Sequence, residues 1–348
     1  MASLTHAARM FVRAAVVGEG AAIASLWREL WEAHEAWGGY PGSRDSRVYA
    51  QLARRLDDDA RARAGQPILG RHVHLVCDVG GVACGQVEGW FEQHGIDTST
   101  PFTCEVRSLV VAERVRHLGA GRSLLDALAG AAGKLSGGAR CLLAAEVLER
   151  NPAHAFYTRV GYSPVAWSAR IDAQAGAAAG ALSSTLAARL AVPRDALALA
   201  RLESMLAARR QACGDARFDR PRTLDATFVA AIGAHLATEN HASFREPATL
   251  VAVDGAGNVR GAASFTVHSL EPPFLPMRRA LVGRFALDVA SPPLPLVVPL
   301  IALACQLGRS YGAMHVEVTD LSAPGTALHD AALATGAQAW SRVVTKIA

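Results

Sequence analysis

The chain lacks the marks of several protein classes. It has no C-x-x-C pair, and its six cysteines, Cys77, Cys84, Cys104, Cys141, Cys213 and Cys305, are scattered and mostly inside apolar runs. That pattern excludes a thiolate metal ribbon or a disulfide scaffold and predicts reduced core thiols. The basic residues form no stripe interleaved with aromatics, which are only 6 % of the chain, and the net charge is a mild +4. Nucleic acid is therefore excluded as a partner. No apolar run reaches the length of a bilayer span, and the opening M-A-S-L-T-H-A-A-R-M carries no signal core. The expectation is a cytoplasmic protein with no membrane partner. His72-x-His74 puts two imidazoles on one strand face, but no further ligands stand at metal-binding spacing, so no metal is expected and the pair reads as packing or solvent-facing.

What the chain does have is enough apolar residue, 51 % of 348, to build two globular domains. One stretch organises the first. An extended apolar run, Val106 to Val111, leads through Arg116, His117, Leu118, Gly119, Ala120 and Gly121 into Leu124, Leu125, Leu128 and Leu135 at helical spacing. This is strand, glycine turn, helix. The first N–H groups of a helix have no internal partners and sit at the positive end of its dipole, so such a turn suits an anion. Gly119 and Gly121 let the backbone take φ > 0 and approach a phosphate, with Arg116, His117, Arg122 and Ser123 around it.

Two common phosphate loops fail on these residues: Leu124 stands where a dinucleotide fingerprint wants its third glycine, and Gly133-Lys134 is followed by Leu135, not Ser or Thr. The pattern is R-x-x-G-x-G. Leu109, Val111, Arg116, Gly119 and Gly121 resemble the pyrophosphate motif of the GNAT superfamily of acyl-CoA-dependent N-acyltransferases, with Glu113 where the family usually has proline. A second stretch, Asn151-Pro152-Ala153-His154-Ala155-Phe156-Tyr157 up to Gly161-Tyr162, is similar to the family's later motif, one residue short. Ala153, Phe156, Tyr157 and Val160 share a helical face, and Gly161 is a helix stop.

The rest of the first half reads as a strand at 11–16, an amphipathic helix marked by Ile23, Leu26, Trp27, Leu30 and Trp31, a polar helix near 48–56, strands at 72–78 and 82–90, and a strand at 141–147. The resemblance implies a mixed α/β sheet in the order β-α-α-β-β-β-α-β-α-β. It implies acetyl-CoA, or another acyl-CoA, as co-substrate, held by Leu109, Val110, Val111, the turn from Arg116 to Ser123, Asn151 and Tyr157. It also implies a small-molecule amine acceptor walled by the first two helices and their loop, where Glu29, Glu32, His34, Glu35, Tyr40 and Asp45 make a partly acidic rim, with Glu88 on the neighbouring strand. For chemistry it points to Glu105 as the base acting through a water, with Glu88 in reserve, and Tyr157 as the acid facing the thioester sulfur. By alternation Glu105, Arg107, Leu109 and Val111 are expected on one face; Glu105 pairing with Arg107 is the competing reading.

Residues 172–185 are rich in Ala, Gly and Ser and read as a linker between a catalytic domain, 1–171, and a second domain, 186–348. Ala188-Arg189-Leu190-Ala191-Val192 echoes Val12-Arg13-Ala14-Ala15-Val16, and His154 and Gly161 fall on His329 and Gly336 at a shift of about 175. The fold expected is a tandem duplicated GNAT fold whose second copy is degenerate. Where its phosphate turn should be stands Leu287 to Pro295 with no glycine and several prolines, and Ala332 stands in the place of Tyr157. The function expected is N-acetyl transfer to a primary amine, by a monomer acting as a pseudo-dimer or by a homodimer. The alternative is a non-catalytic acyl-CoA-binding module.

Overall fold

The structure, a computed structural model, describes residues 10–92, 102–175, 185–218, 223–239 and 241–348. It forms two compact units, the first made of Met1–Ser163, Glu271–Leu275 and Val344–Ala348, the second of Pro164–Leu270 and Pro276–Val343. The linker expected at 172–185 lies largely outside the described residues. The compact units divide at Ser163 rather than at 171, so the strand that follows belongs to the second.

In the first unit the elements are β1 (Met10–Ala14), α1 (Gly20–Ala36), α2 (Ser46–Arg63), β2 (Ile68–Leu69), β3 (His72–Val79), β4 (Val82–Glu92), β5 (Phe102–Val111), α3 (Ala120–Leu135), β6 (Cys141–Leu148) and α4 (His154–Arg159). The sheet order is β1-β3-β4-β5-β6, with β2 on β3. Alternation sends Val73, Leu75, Val87, Cys104 and Val106 against Leu124, Leu125 and Leu128 of α3, and sends Val76 and Ala83 against Ile23, Trp27, Leu52 and Leu56 of α1 and α2. The predicted apolar stripe of α1 is thus the face that packs. The chain's last residues close this unit: the Ala348 amide donates to the Cys141 carbonyl at 2.9 Å, and Val344 is buried in the α3-side core.

The second unit contains β7 (Ser163–Asp172), β8 (Ala187–Leu190), α5 (Ala196–Ala212), α6 (Ala226–Thr238), β9 (Ala248–Val253), β10 (Val259–Ser269), β11 (Arg278–Leu287), α7 (Pro293–Ser310), β12 (Ala313–Leu321), α8 (Ala327–Ala334) and most of β13 (Gln338–Ile347). Its strand order runs β7-β12-β11-β10-β9-β8. The echo of the first half is exact in its hydrogen bonds. Arg13 clamps Glu19, whose carboxylate accepts from the Val16 amide at 2.8 Å; Arg189 clamps Asp195, whose carboxylate accepts from the Val192 amide at 2.9 Å. Ser108 and Arg284 both take φ near +50°, and both pairings slip beside them, β4 with β5 between Gln86 and Glu88 and β10 with β11 between Ala262 and Ser264. Gly161 and Gly336 end their helices at φ 88° and 90°.

Two expectations change. Helix α7, 18 residues, is long and apolar enough to cross a bilayer by length and composition, although half of it is buried, with Leu296, Leu300, Ile301 and Ala304 in the second unit's core. The sequence scan missed it because prolines break up its apolar run. Of the cysteines, five are buried and free, while Cys213 is exposed.

Candidate active site

Strand β5 pairs with β4 along nearly its whole length, out to Gly85 opposite Val111, but with β6 only from Phe102–Cys141 to Glu105–Ala144. Beyond Glu105 the two parallel strands part. The β5–β6 pairing ends there, and an extended amide-bearing chain could pair with the β5 edge around 109–111.

The parting begins at a bulge. Ser108 sits at φ 51°, a region costly for a residue with a side chain. Its carbonyl accepts from Gln86 Nε2 at 3.2 Å, and Gln86 Oε1 lies 2.8 Å from His74 Nε2. The bulge adds one residue, so it flips the alternation. Glu105 and Arg107 stand opposite Trp90 and Glu88, whereas Leu109 packs against the α3-side core and Val110 enters the α1-side cluster with Leu26. The expectation that Glu105, Arg107, Leu109 and Val111 share one face is therefore wrong.

After β5 the chain does not turn straight into α3. A 3-10 segment, Glu113–Leu118, intervenes, with Arg116 Nε donating to the Val111 carbonyl at 3.0 Å. Gly119 follows at φ 86° with open space around it, fully consistent with a turn that lets a ligand approach. The N–H groups of Ala120, Gly121 and Arg122 lie in the first turn of α3, where no intrahelical acceptor exists. Gly121 has no positive φ; its missing Cβ makes room instead for the Phe156 ring, which would lie 3.1 Å from it. His117, Leu118 and Arg122 are exposed, and the Arg122 guanidinium reaches the Arg159 carbonyl at 3.4 Å.

Helix α4 meets the start of α3, with Phe156 over Gly121 and the Arg159 carbonyl at Arg122. Asn151 Oδ1 accepts from the Ala153 amide at 2.9 Å, which commits it to starting the helix. Tyr157 is buried, edge-on to Tyr162 with ring centroids 5.2 Å apart. No described group hydrogen-bonds to its hydroxyl, and burial pushes the phenol well above its ordinary pKa. It stays protonated across the physiological range, as a proton donor must.

The two carboxylates differ sharply. Glu105 is bound to Arg107 in an ion pair with its side chain 43 % exposed. Glu88 has a side chain only 10 % exposed, with His72 Nε2 at 3.3 Å from Oε1. Arg63 Nη2 sits 2.6 Å from His72 Nδ1. A guanidinium can only donate, so Nδ1 must accept and the neutral imidazole carries its proton on Nε2, toward Glu88. Burial would raise the Glu88 pKa, but the contact with His72, the proximity of His74 and a hydrogen bond from Ser108 hold it below the usual carboxylate range. The histidine pair read from the sequence as packing or solvent-facing is thus a buried polar network. His72 also stacks on Trp90 at 4.2 Å.

The acidic rim is mostly spoken for. Arg44 pairs with Glu35 at 2.9 Å and with Glu32 at 3.5 Å, and Asp45 caps α2 by accepting from the Arg47 amide at 2.8 Å. Glu29 is exposed. Tyr40 is buried, edge-on to Phe274, which also lies 4.3 Å from Trp31. Phe274 belongs to the Glu271–Leu275 segment of the first unit and was not foreseen as part of this wall. His34, among the same aromatics, is held neutral by burial with its pKa lowered to about 4. Among the described residues no group of three or more His, Cys, Asp or Glu is arranged to hold a metal ion.

Residues 24–162 match the acetyltransferase (GNAT) family. No curated protein sequence matches the chain. Among solved structures, a GCN5-related N-acetyltransferase from Sphaerobacter thermophilus is 15 % identical at TM-score 0.54, with 97 % of this chain and 95 % of that one covered. A tandem GNAT protein from the clavulanic acid biosynthesis pathway is 17 % identical at TM-score 0.50, covering 98 % of each. A glucosamine N-acetyltransferase region of a fungal multi-domain GH3 β-N-acetylglucosaminidase is 12 % identical at TM-score 0.54, with 99 % of this chain and 39 % of that one covered. At these identities the likeness is one of fold.

Proposed function

We propose, from the match of residues 24–162 to the acetyltransferase (GNAT) family, that this protein transfers an acyl group, acetyl as the simplest case, from acyl-CoA to a primary amine of a small molecule. The observation that carries the reading is the coincidence, in one unit, of the end of the β5–β6 pairing at Glu105, the Gly119 turn at the start of α3, and a buried Tyr157 on α4 whose hydroxyl has no hydrogen-bond partner among the described residues. A purely structural domain needs none of the three. The donor's diphosphate would lie on the amides of Ala120, Gly121 and Arg122, with its pantetheine amides along 109–111. The co-substrate supplies an activated thioester carbonyl.

The amine must lose a proton as its nitrogen forms the new amide, and the departing sulfur must gain one. Glu88 takes the first proton, through a water. It is preferred over Glu105 because its side chain is only 10 % exposed beside His72, whereas Glu105 is ion-paired to Arg107 and 43 % exposed. Tyr157 Oη–H gives the second. The second unit supports this division of labour as an internal control. Its β9–β10 pairing carries Thr249 opposite Ser264 where the first unit has His74 opposite Glu88, so the fold itself does not require the polar set. Arg44 offsets Glu32 and Glu35, so the rim offers little net charge to a cationic acceptor; the preference for an amine rests on Glu88.

The test is release of free thiol from acetyl-CoA by the full chain with a panel of amines. Acceptor-dependent thiol is expected from at least one small primary amine. Tight CoA binding with no acceptor-dependent release from any amine would favour the alternative, a non-catalytic acyl-CoA-binding module.

A further inference from the structure

In the second unit, α5, α6, β9 and β10 line an open-mouthed cavity of about 290 Å³, near the lower limit of small-molecule pockets. Its position can be matched to the first unit by strand register. Gly85 opposite Val111 becomes Gly261 opposite Leu287, and Cys77 opposite Gly85 becomes Ala252 opposite Gly261. Carried along β9 and β10, this register puts Pro247, Thr249, Ala262 and Ser264 where the first unit has His72, His74, Gln86 and Glu88. All four replacements line the cavity. The space that one unit fills with a buried polar network is, in the other, cleared by small side chains and left open.

We infer that this cavity is a second ligand site, for a compact, uncharged, largely apolar molecule carrying an O–H or N–H group. The walls are apolar, with Leu199, Phe228, Ile232 and Leu236 on the helix side. Its ionisable groups are paired: Arg284 grips Glu203 with Nε and Nη2 at 2.7 to 3.2 Å, and His235 Nε2 lies 3.5 Å from Glu239, so no lone charge faces the space to attract an ion. Its two hydroxyls have already given their protons away, Thr249 Oγ1 to Glu239 at 2.9 Å and Ser264 Oγ to the Gly283 carbonyl at 3.1 Å. Their oxygens can still accept, so the complementary group on a ligand is a donor. The site binds without turning over. Pro293 and Pro295 open α7 where α3 presents amides, and Ala332 stands in the place of Tyr157.

The experiment is titration of the full chain with indole and, in parallel, benzyl alcohol, read on the methyl resonances of Ile232 and Leu236. Saturable shifts are expected with at least one probe. Ala262→Leu, which refills the space from the strand side, should weaken binding at least 10-fold, and Ile232→Phe should do the same from the helix side if the first variant does not fold. Tyr157→Phe should bind the probe as the native chain does, so failure of the acetyl-transfer reading leaves this result unaffected. Absence of a saturable shift with either probe, or unchanged binding in a folded refilled variant, overturns the inference.

Discussion

Tyr157 and Tyr162 form a matched pair on which the proposed chemistry can be separated from packing. Both rings are buried in the same core, 5.2 Å apart, and neither hydroxyl has a hydrogen-bond partner among the described residues; that of Tyr162 is sealed from solvent as well. A buried hydroxyl without a partner costs roughly 1–3 kcal/mol of desolvation, and replacing it by an apolar group of the same shape is neutral or stabilising. Tyr162→Phe should therefore raise stability by up to about 1 kcal/mol, and Tyr157→Phe should do no worse than break even. Turnover should divide them. Losing a general acid costs about 100- to 10,000-fold in rate, or about 2.7–5.5 kcal/mol of barrier, so Tyr157→Phe should fall by that factor with CoA affinity kept, while Tyr162→Phe stays near native. The assays are thiol release at saturating acetyl-CoA and urea unfolding. An equal loss of turnover in both variants would reduce the effect to packing, and an unchanged Tyr157→Phe would remove this phenol from the reaction.

Glu88→Gln should lower turnover about 100- to 10,000-fold, the range for a lost general base, and abolish the acidic limb of the pH–rate profile; Glu105→Gln should cost less than 10-fold, and the reverse order would exchange their roles. Gly119→Ala puts a Cβ on a backbone at φ 86° and should cost about 1–2 kcal/mol of stability together with CoA affinity by calorimetry, whereas Gly121→Ala should act through the Phe156 contact at 3.1 Å and chiefly displace α4. His34 predicts a pH dependence. Its folded pKa of about 4 lies below the ordinary 6.5, so only the unfolded chain takes up this proton between those values. Its contribution is complete above pH 6.5 and is lost as pH falls toward 4, by about 1.4 kcal/mol per unit at most; His34→Phe should flatten urea midpoints over that window, and an unchanged slope would contradict the burial argument.

The local elements were legible because local patterns dictate them. The apolar stripe of α1, the run into the Gly119 turn and the stop at Gly161 are period and backbone effects within a few residues. What escaped detection depends on partners far along the chain. Ser108 carries no sign of a left-handed residue; its bulge is held by Gln86 from the neighbouring strand, and from that one displacement follows the misassigned face of Leu109 and Val111. Glu88 and the histidine pair could be named but not joined, since it is Arg63, at the end of α2, that fixes the tautomer of His72. Similarly, nothing near Trp31 and Tyr40 announces that Phe274 completes their cluster.

The seating of Val344–Ala348 in the first unit's core has a consequence for biosynthesis. Although the proposed catalytic machinery is encoded before residue 164, its hydrophobic interior still waits for Val344, and Cys141 for the amide of Ala348. During synthesis the nascent amino-terminal half must persist with that sheet margin bare until residues 344–348 have been made. A lesion that removes those five residues would thus strike the half of the polypeptide made first.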